Sequence, residues 1–315
     1  MKSTAGDFAL DERERRGGEF VRQQSRFRDW VSAEKPGGSA PQPGRYHLYV
    51  CRACPWAHRT IIGRALMGLE QAVSISYVDP IRDARGWAFT TPGVYEDTVN
   101  GFDFLAQAYA AADPSYRGRV TVPVLWDRER TTIVNNESAD ILRMLSTVFA
   151  PLGEHPQELY PPALAAEIDA LNERIYEQVN NGVYRAGFST DQRVYERAVR
   201  GVFELLDELD ARLEQSRFLF GPVPLETDWR LFTTLIRFDA VYQVHFKCSL
   251  RKITEYRNLW PYLRDLYQWP GVAETVSFEE IRAHYYRTHA DINPTRLVAV
   301  MPALQLWEPP GREGR

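Results

Sequence analysis

The chain has 315 residues, of which 44% are hydrophobic and 25% charged, with a formal net charge of −4. That length and composition suit two domains with real apolar cores, and the acidic balance argues against a nucleic-acid binder driven by phosphate contacts. No apolar run reaches the roughly 18 residues of a membrane span, and the charged start, Met1 to Arg16, lacks the apolar stretch of a secretory signal.

Residues 1–40 read as an N-terminal extension that ends in the loop-like run from Lys35 to Pro41. Residues 45–50 (Arg-Tyr-His-Leu-Tyr-Val) alternate and are rich in aromatic and β-branched types, a strand signal. Pro55 stands where the first turn of a helix tolerates proline, and the helical spacing from Trp56 runs to Met67 before Gly68. Residues 73–78 form a second strand. A helical stretch lies near residues 102–112. A third strand, 120–126, is interrupted by Pro123, and a fourth spans 131–134. Asn136 is the predicted N-cap of a helix running to about Thr147. The order βαβ, α, ββα assigns residues 41–150 to an α/β domain.

The proline-rich stretch from Phe149 to Pro162 is the linker. Beyond it, residues 163–179, 192–213, 229–246, 253–267 and 278–286 carry helical spacing, and no strand pattern occurs. Residues 160–315 are therefore assigned to an all-helical domain.

The three cysteines are Cys51, Cys54 and Cys248. That count does not make a disulfide framework, so a reducing, cytoplasmic setting is expected. Cys54 falls between a strand end and a helix start. There the unpaired N–H groups and the helix dipole favour the thiolate, the form that attacks disulfides and thioethers. Cys51-Arg52-Ala53-Cys54 resembles a redox C-x-x-C pair. However, the nucleophile of such pairs is the first cysteine, often followed by proline. Taking Cys54-Pro55 as the start puts Ala57 at the resolving position, so the site has one thiol and Cys51 is a bystander. An isolated cysteine is usually a small buried hydrophobe; Pro-Trp-Ala at a helix start favours the reactive reading. His58, one turn on, is assigned to packing or hydrogen bonding, because the base of a Cys–His dyad normally comes from a distant segment. His284 and His289 show no zinc spacing with cysteine, so no metal is expected.

A cis peptide before Pro123 would turn the Val122 backbone outward to pair with a peptide-like ligand. Glu137 and Ser138 begin the next helix, an end that binds carboxylates through its N–H groups and dipole. Ser138 adds a hydroxyl and Glu137 a partner for an ammonium, which suits a γ-glutamyl head. Taken alone, the pair reads as an ordinary N-terminal cap.

These pieces together resemble the glutathione transferases, with a thioredoxin-like α/β N-terminal domain and an all-α C-terminal domain. The resemblance is nearer to the xi class, the glutathionyl-hydroquinone reductases. It is carried by Tyr46 to Val50, Cys54-Pro55-Trp56-Ala57-His58-Arg59, Gly86-Trp87, the run from Val122 to Asp127 and that from Ile133 to Ser138. Asn181-Gly182-Val183-Tyr184, Arg237-Phe238-Asp239 with Tyr242, His245-Phe246-Lys247, the run from Tyr256 to Leu259, His284-Tyr285-Tyr286 and Ile292-Asn293-Pro294 complete it. It covers roughly residues 45–295.

The resemblance implies a catalytic Cys54, glutathione contacts from Trp87, Arg119, Val122, Glu137 and Ser138, and quinol-facing Tyr184, Tyr242 and Tyr285. It implies glutathione as co-substrate, glutathionyl-hydroquinones as substrates, and a homodimer. With 16 tyrosines in the chain, composition alone would make any one of them structural. An omega-type thioltransferase or dehydroascorbate reductase would share the cysteine but lack the three tyrosines. A non-catalytic transferase-like interaction module would not need the thiolate. The natural quinone, and the choice between glutathione and another small thiol, stay open at this level.

Overall fold

The computed structural model describes residues 14–34 and 40–314. The start of the predicted extension and most of its Lys35 to Pro41 loop lie outside the described residues. Two compact units form. The first holds Gln23–Glu158 and Thr275–Ala290; the second holds residues 14–22, Leu159–Glu274 and residues 291–314.

The first unit is built on a four-stranded sheet of β3 (Tyr46–Val50), β4 (Val73–Tyr77), β5 (Val124–Asp127) and β6 (Thr132–Asn135). Its order is β4-β3-β5-β6, with β3 parallel to β4 and antiparallel to β5, and β5 antiparallel to β6. Every residue of the central strand β3 is buried, as a strand with neighbours on both sides and covered faces requires. The third predicted strand starts only after Pro123, which supplies no N–H to a ladder.

Helix α1 (Pro55–Leu66) carries Pro55 in its first turn and Arg64 in its last, the arrangement that suits the helix dipole. Gly63 faces α3 (Ser138–Ser146): a Cβ there would stand 2.6 Å from Leu142 Cδ1, so a larger residue would require the Leu142 side chain to shift. Helix α2 spans Leu105–Ala112. The N-cap of α3 is Glu137, not Asn136. The Asn136 side chain has tertiary partners instead: it accepts from Phe27 N–H at 3.1 Å and donates to Tyr109 Oη at 3.0 Å.

The predicted extension takes part in both units. In the second, β1 (Arg15–Arg16) and β2 (Glu19–Phe20) form a hairpin. In the first, residues 27–29 lie along the free edge of β6, with Asp29 N–H to Val134 O at 3.1 Å and Asn136 N–H to Phe27 O at 3.0 Å. Backbone groups paired in this way are not open to other chains.

The second unit is helical: α4 (Ala165–Ile175), α5 (Gly182–Gly187), α6 (Gln192–Arg212), α7 (Glu226–Arg237) and α8 (Leu259–Tyr267). Two predicted helices, 163–179 and 229–246, each end in a wider turn. Asn181 N–H reaches Tyr176 O at 2.8 Å and Gln243 N–H reaches Phe238 O at 2.9 Å, both i→i+5 bonds. Such π turns recur at functional sites. Helix α7 is buried along its whole length. The last predicted helix, α9 (Phe278–Thr288), packs with the first unit, although the sequence reading grouped it with the helical domain. Among the described residues no helix is long and apolar enough to cross a membrane.

Candidate active site

Cys54 is the N-cap of α1, in extended conformation (φ −78°, ψ 121°), at the mouth of the turn that Cys54 N–H closes on Cys51 O at 3.1 Å. It is 9% exposed, whereas Cys51 is fully buried. Burial pushes the Cys51 thiol well above its usual range, which keeps it protonated and unreactive. His58 Nε2 lies 2.7 Å from Thr275 Oγ1, which ties α1 to the segment leading into α9.

Opposite the thiol is the cis Val122–Pro123 peptide. Cys54 Sγ is 3.8 Å from Val122 O, the weak donor contact of a thiol to a carbonyl. The Val122 N–H has no partner among the described residues, so the strand-like pairing group expected from the sequence is available. Arg119 lies three residues before it, its carbonyl accepting from Tyr116 Oη at 2.7 Å.

At the head of α3, Glu137 Oε1 accepts the Ala139 N–H at 3.3 Å and Oε2 accepts the Ser25 hydroxyl at 2.9 Å. Ser25 comes from the extension, so a segment the sequence reading left without a role orients this carboxylate. Ser138 Oγ receives a hydrogen bond from Arg59 Nη1 at 3.3 Å, and its hydroxyl points to Glu137 Oε1 at 3.4 Å. Sequence reasoning missed Ser25 and Arg59. The one visible signal was that Arg59 closes the Cys-Pro-Trp-Ala-His-Arg run.

Trp87 is buried, with a histidine and an arginine against its ring. The His284 ring stacks on it at 5.4 Å and 17°, and the Arg82 guanidinium lies 4.5 Å from its centroid. His284 Nδ1 is 2.6 Å from Pro80 O, which fixes the proton on that nitrogen when the ring is neutral. Tyr285, the next residue of α9, is buried with its ring edge-on to His284 at 5.1 Å. A third tie holds α9 to the cysteine turn: Arg52 pairs with Glu280 at 3.0 Å and covers the Tyr77 ring at 3.5 Å. Burial pushes the Glu280 carboxyl up while Arg52 pulls it down.

Tyr184 and Tyr242 belong to the second unit. Their rings are 6.1 Å apart, and Phe246 completes the cluster, 5.3 Å from Tyr184 and stacked on Tyr242 at 5.4 Å and 11°. Arg22 lies over the Tyr184 ring at 4.9 Å, with Nε on Asn181 Oδ1 at 3.1 Å. Gly187 is needed here, since a Cβ would fall 2.1 Å from the Phe246 ring. Asp239 anchors the turn that carries Tyr242 by accepting Ile253 N–H at 2.7 Å and Thr254 N–H at 3.1 Å.

A thioredoxin-like sheet, a cis-proline opposite a helix-capping cysteine and a helical unit define a class, and comparison with known proteins agrees. Residues 53–148 match the family model "Glutathione S-transferase, N-terminal domain", and residues 192–265 match "Glutathione S-transferase, C-terminal domain". Glutathionyl-hydroquinone reductase YqjG of Escherichia coli is 52% identical over 95% of this chain and 94% of its own length. Glutathionyl-hydroquinone reductase PcpF of Sphingobium chlorophenolicum is 47% identical over 92% of each. The glutathione-bound structure of YqjG superposes with a TM-score of 0.89 at 51% identity, covering 91% of this chain and 96% of that one. The chain belongs to the xi-class glutathione transferases, the family of the glutathionyl-hydroquinone reductases.

Proposed function

We propose that this chain reductively removes glutathione from S-glutathionyl-hydroquinones. The observation that carries the reading is Cys54, the one cysteine that is not fully buried, facing the cis Val122–Pro123 peptide in a member of this family. The Cys54 thiolate attacks the glutathione sulfur. The sulfur–ring bond breaks, its electron pair stays with the aromatic carbon, and a proton adds there. The hydroquinone leaves, and Cys54 holds glutathione as a mixed disulfide. A second glutathione thiolate attacks that disulfide, releasing glutathione disulfide and the free thiolate.

In this reading Glu137 takes the γ-glutamyl ammonium and Ser138 its carboxylate. Val122 pairs with the peptide backbone of glutathione, and Trp87 and Arg119 complete the contacts. Tyr184, Tyr242 and Tyr285 serve the quinol oxygens through their hydroxyls and ring faces; the family resemblance supports those three roles. The chain acts in the cytoplasm and as a homodimer, and light scattering of the purified protein tests the oligomeric state.

The decisive assay is turnover of glutathionyl-menadiol with glutathione. Wild type should release menadiol and glutathione disulfide in equal amounts. Absence of turnover, or turnover that survives Cys54→Ala, would refute the proposal.

A further inference from the structure

We infer that Arg59 is a positioning residue for the thiol substrate: it sets the polarity of the Ser138 hydroxyl and places a buried positive charge beneath the γ-glutamyl carboxylate. The inference rests on the reading of Ser138 given above and goes one layer behind it.

Arg59 lies on α1, five residues after the nucleophile, and is 1% exposed. Its guanidinium is held over the Trp56 ring, 4.6 Å from the centroid, a contact that orients the planar group. Nη1 donates to Ser138 Oγ at 3.3 Å. A hydroxyl has one proton to give and two lone pairs to offer. With a lone pair occupied by Arg59, the Ser138 proton is directed away from α1. Within the chain it meets Glu137 Oε1 at 3.4 Å, a long contact to a carboxylate that already accepts the Ala139 N–H and the Ser25 hydroxyl. A ligand carboxylate at the head of α3 is the better acceptor. It would receive the hydroxyl proton, the dipole of α3 and the field of Arg59 together. Because Arg59 is out of water, its field is weakly screened at that distance. The same helix thus carries the nucleophile at its first turn and the carboxylate-sensing cation one turn further on.

The test measures dissociation constants by calorimetry for two ligands: glutathione, and an analogue lacking the γ-glutamyl α-carboxylate. Wild type, Arg59→Met, Ser138→Ala and the double variant are compared. Arg59→Met should weaken glutathione about tenfold or more, the scale of one charge-assisted contact, and leave the analogue unchanged. Ser138→Ala should also weaken glutathione, and the double variant should lose much less than the product of the two single losses, because both act through one hydroxyl. Equal weakening of both ligands by Arg59→Met would show a purely structural role and overturn the inference, as would full additivity. An unchanged glutathione affinity in Ser138→Ala would instead remove the reading of Ser138, and the inference with it. If Arg59→Met does not fold, Arg59→Lys keeps the charge but loses the planar fork. The glutathione-to-analogue affinity ratio must then fall by a smaller factor, and an unchanged ratio overturns the inference.

Discussion

The two units hold their implicated side chains by different physics. In the first, polar and backbone-directed contacts fix Cys54, Val122, Glu137 and Ser138: a helix cap, a cis-proline turn, and hydrogen bonds from Ser25 and Arg59. In the second, Tyr184 and Tyr242 stand in a ring cluster shaped by Phe246 and by two wide helical turns. Directional bonds suit an invariant ligand, the thiol tripeptide. Ring packing suits a flat aromatic one and tolerates variation in its substituents. Damage to the first unit should therefore affect every glutathionyl substrate, and damage to the second only those with a quinol.

The largest effect is expected at the cysteine. Cys54→Ala should abolish turnover, whereas Cys51→Ala should keep most of it, because the Cys51 thiol is fully buried and held protonated. Mass spectrometry after incubation with a glutathionyl substrate should find one glutathione, on Cys54. Equal loss in both variants would establish a dithiol mechanism.

Replacing Tyr184, Tyr242 or Tyr285 by Phe keeps the ring and removes only the O–H. Turnover of a glutathionyl-hydroquinone should fall about tenfold to a hundredfold, at or below the low end of the range for proton-donating groups. Reduction of a small glutathione mixed disulfide should be largely retained. Tyr285 sharpens the comparison, since α9 packs with the first unit; its variant should still behave like those of Tyr184 and Tyr242. Equal damage to both substrate types would mean that the phenols support packing and not the quinol.

Glu137→Ala should raise the KM for the thiol substrate with kcat nearly kept, since the ammonium proposed as its partner is remote from the reacting sulfur. The loss of a charge-assisted bond is worth about 1.5–3 kcal/mol. A fall in kcat at constant KM would instead place Glu137 in the chemistry.

The same contrast explains what the sequence made legible. Strands β3 and β4 and helix α1 follow from local alternation and from Pro55, and both units' elements stand close to the predicted ones. What local pattern cannot carry is a partner far along the chain. Arg59 meets Ser138 across 79 positions and Ser25 meets Glu137 across 112, so neither had a readable role. Asn136 has the residue type of a cap, yet its side chain is claimed by Phe27 and Tyr109 and the cap passes to Glu137. The π turns keep the apolar spacing of an α-helix, so sequence periodicity could not separate them. The tyrosines were reached only by resemblance, because ring clusters have no sequence spacing of their own.

The effect furthest from turnover concerns stability in acid, where the two units behave alike. Each buries one histidine whose pKa is pushed down to about 4: His47 by burial, and His245 by burial and the charge of Lys247. At His47 the nearby Asp97 pulls the pKa up and Arg128 and Arg64 pull it down, but burial dominates. The unfolded histidine takes its proton near pH 6.5, whereas the folded one resists until about 4. The unfolded state therefore binds more protons in that window, and folding stability is complete above 6.5 and lost progressively as the pH falls towards 4. For His47 the full swing is on the order of 3 kcal/mol. His47→Gln should lower stability at pH 7, because the ring packs against Tyr49 and its Nδ1 lies 2.7 Å from Ser74 Oγ. It should nevertheless flatten the decline between pH 6.5 and 4, as read from denaturant midpoints at each pH. A decline as steep as that of wild type would show that His47 is not the group taking up the proton.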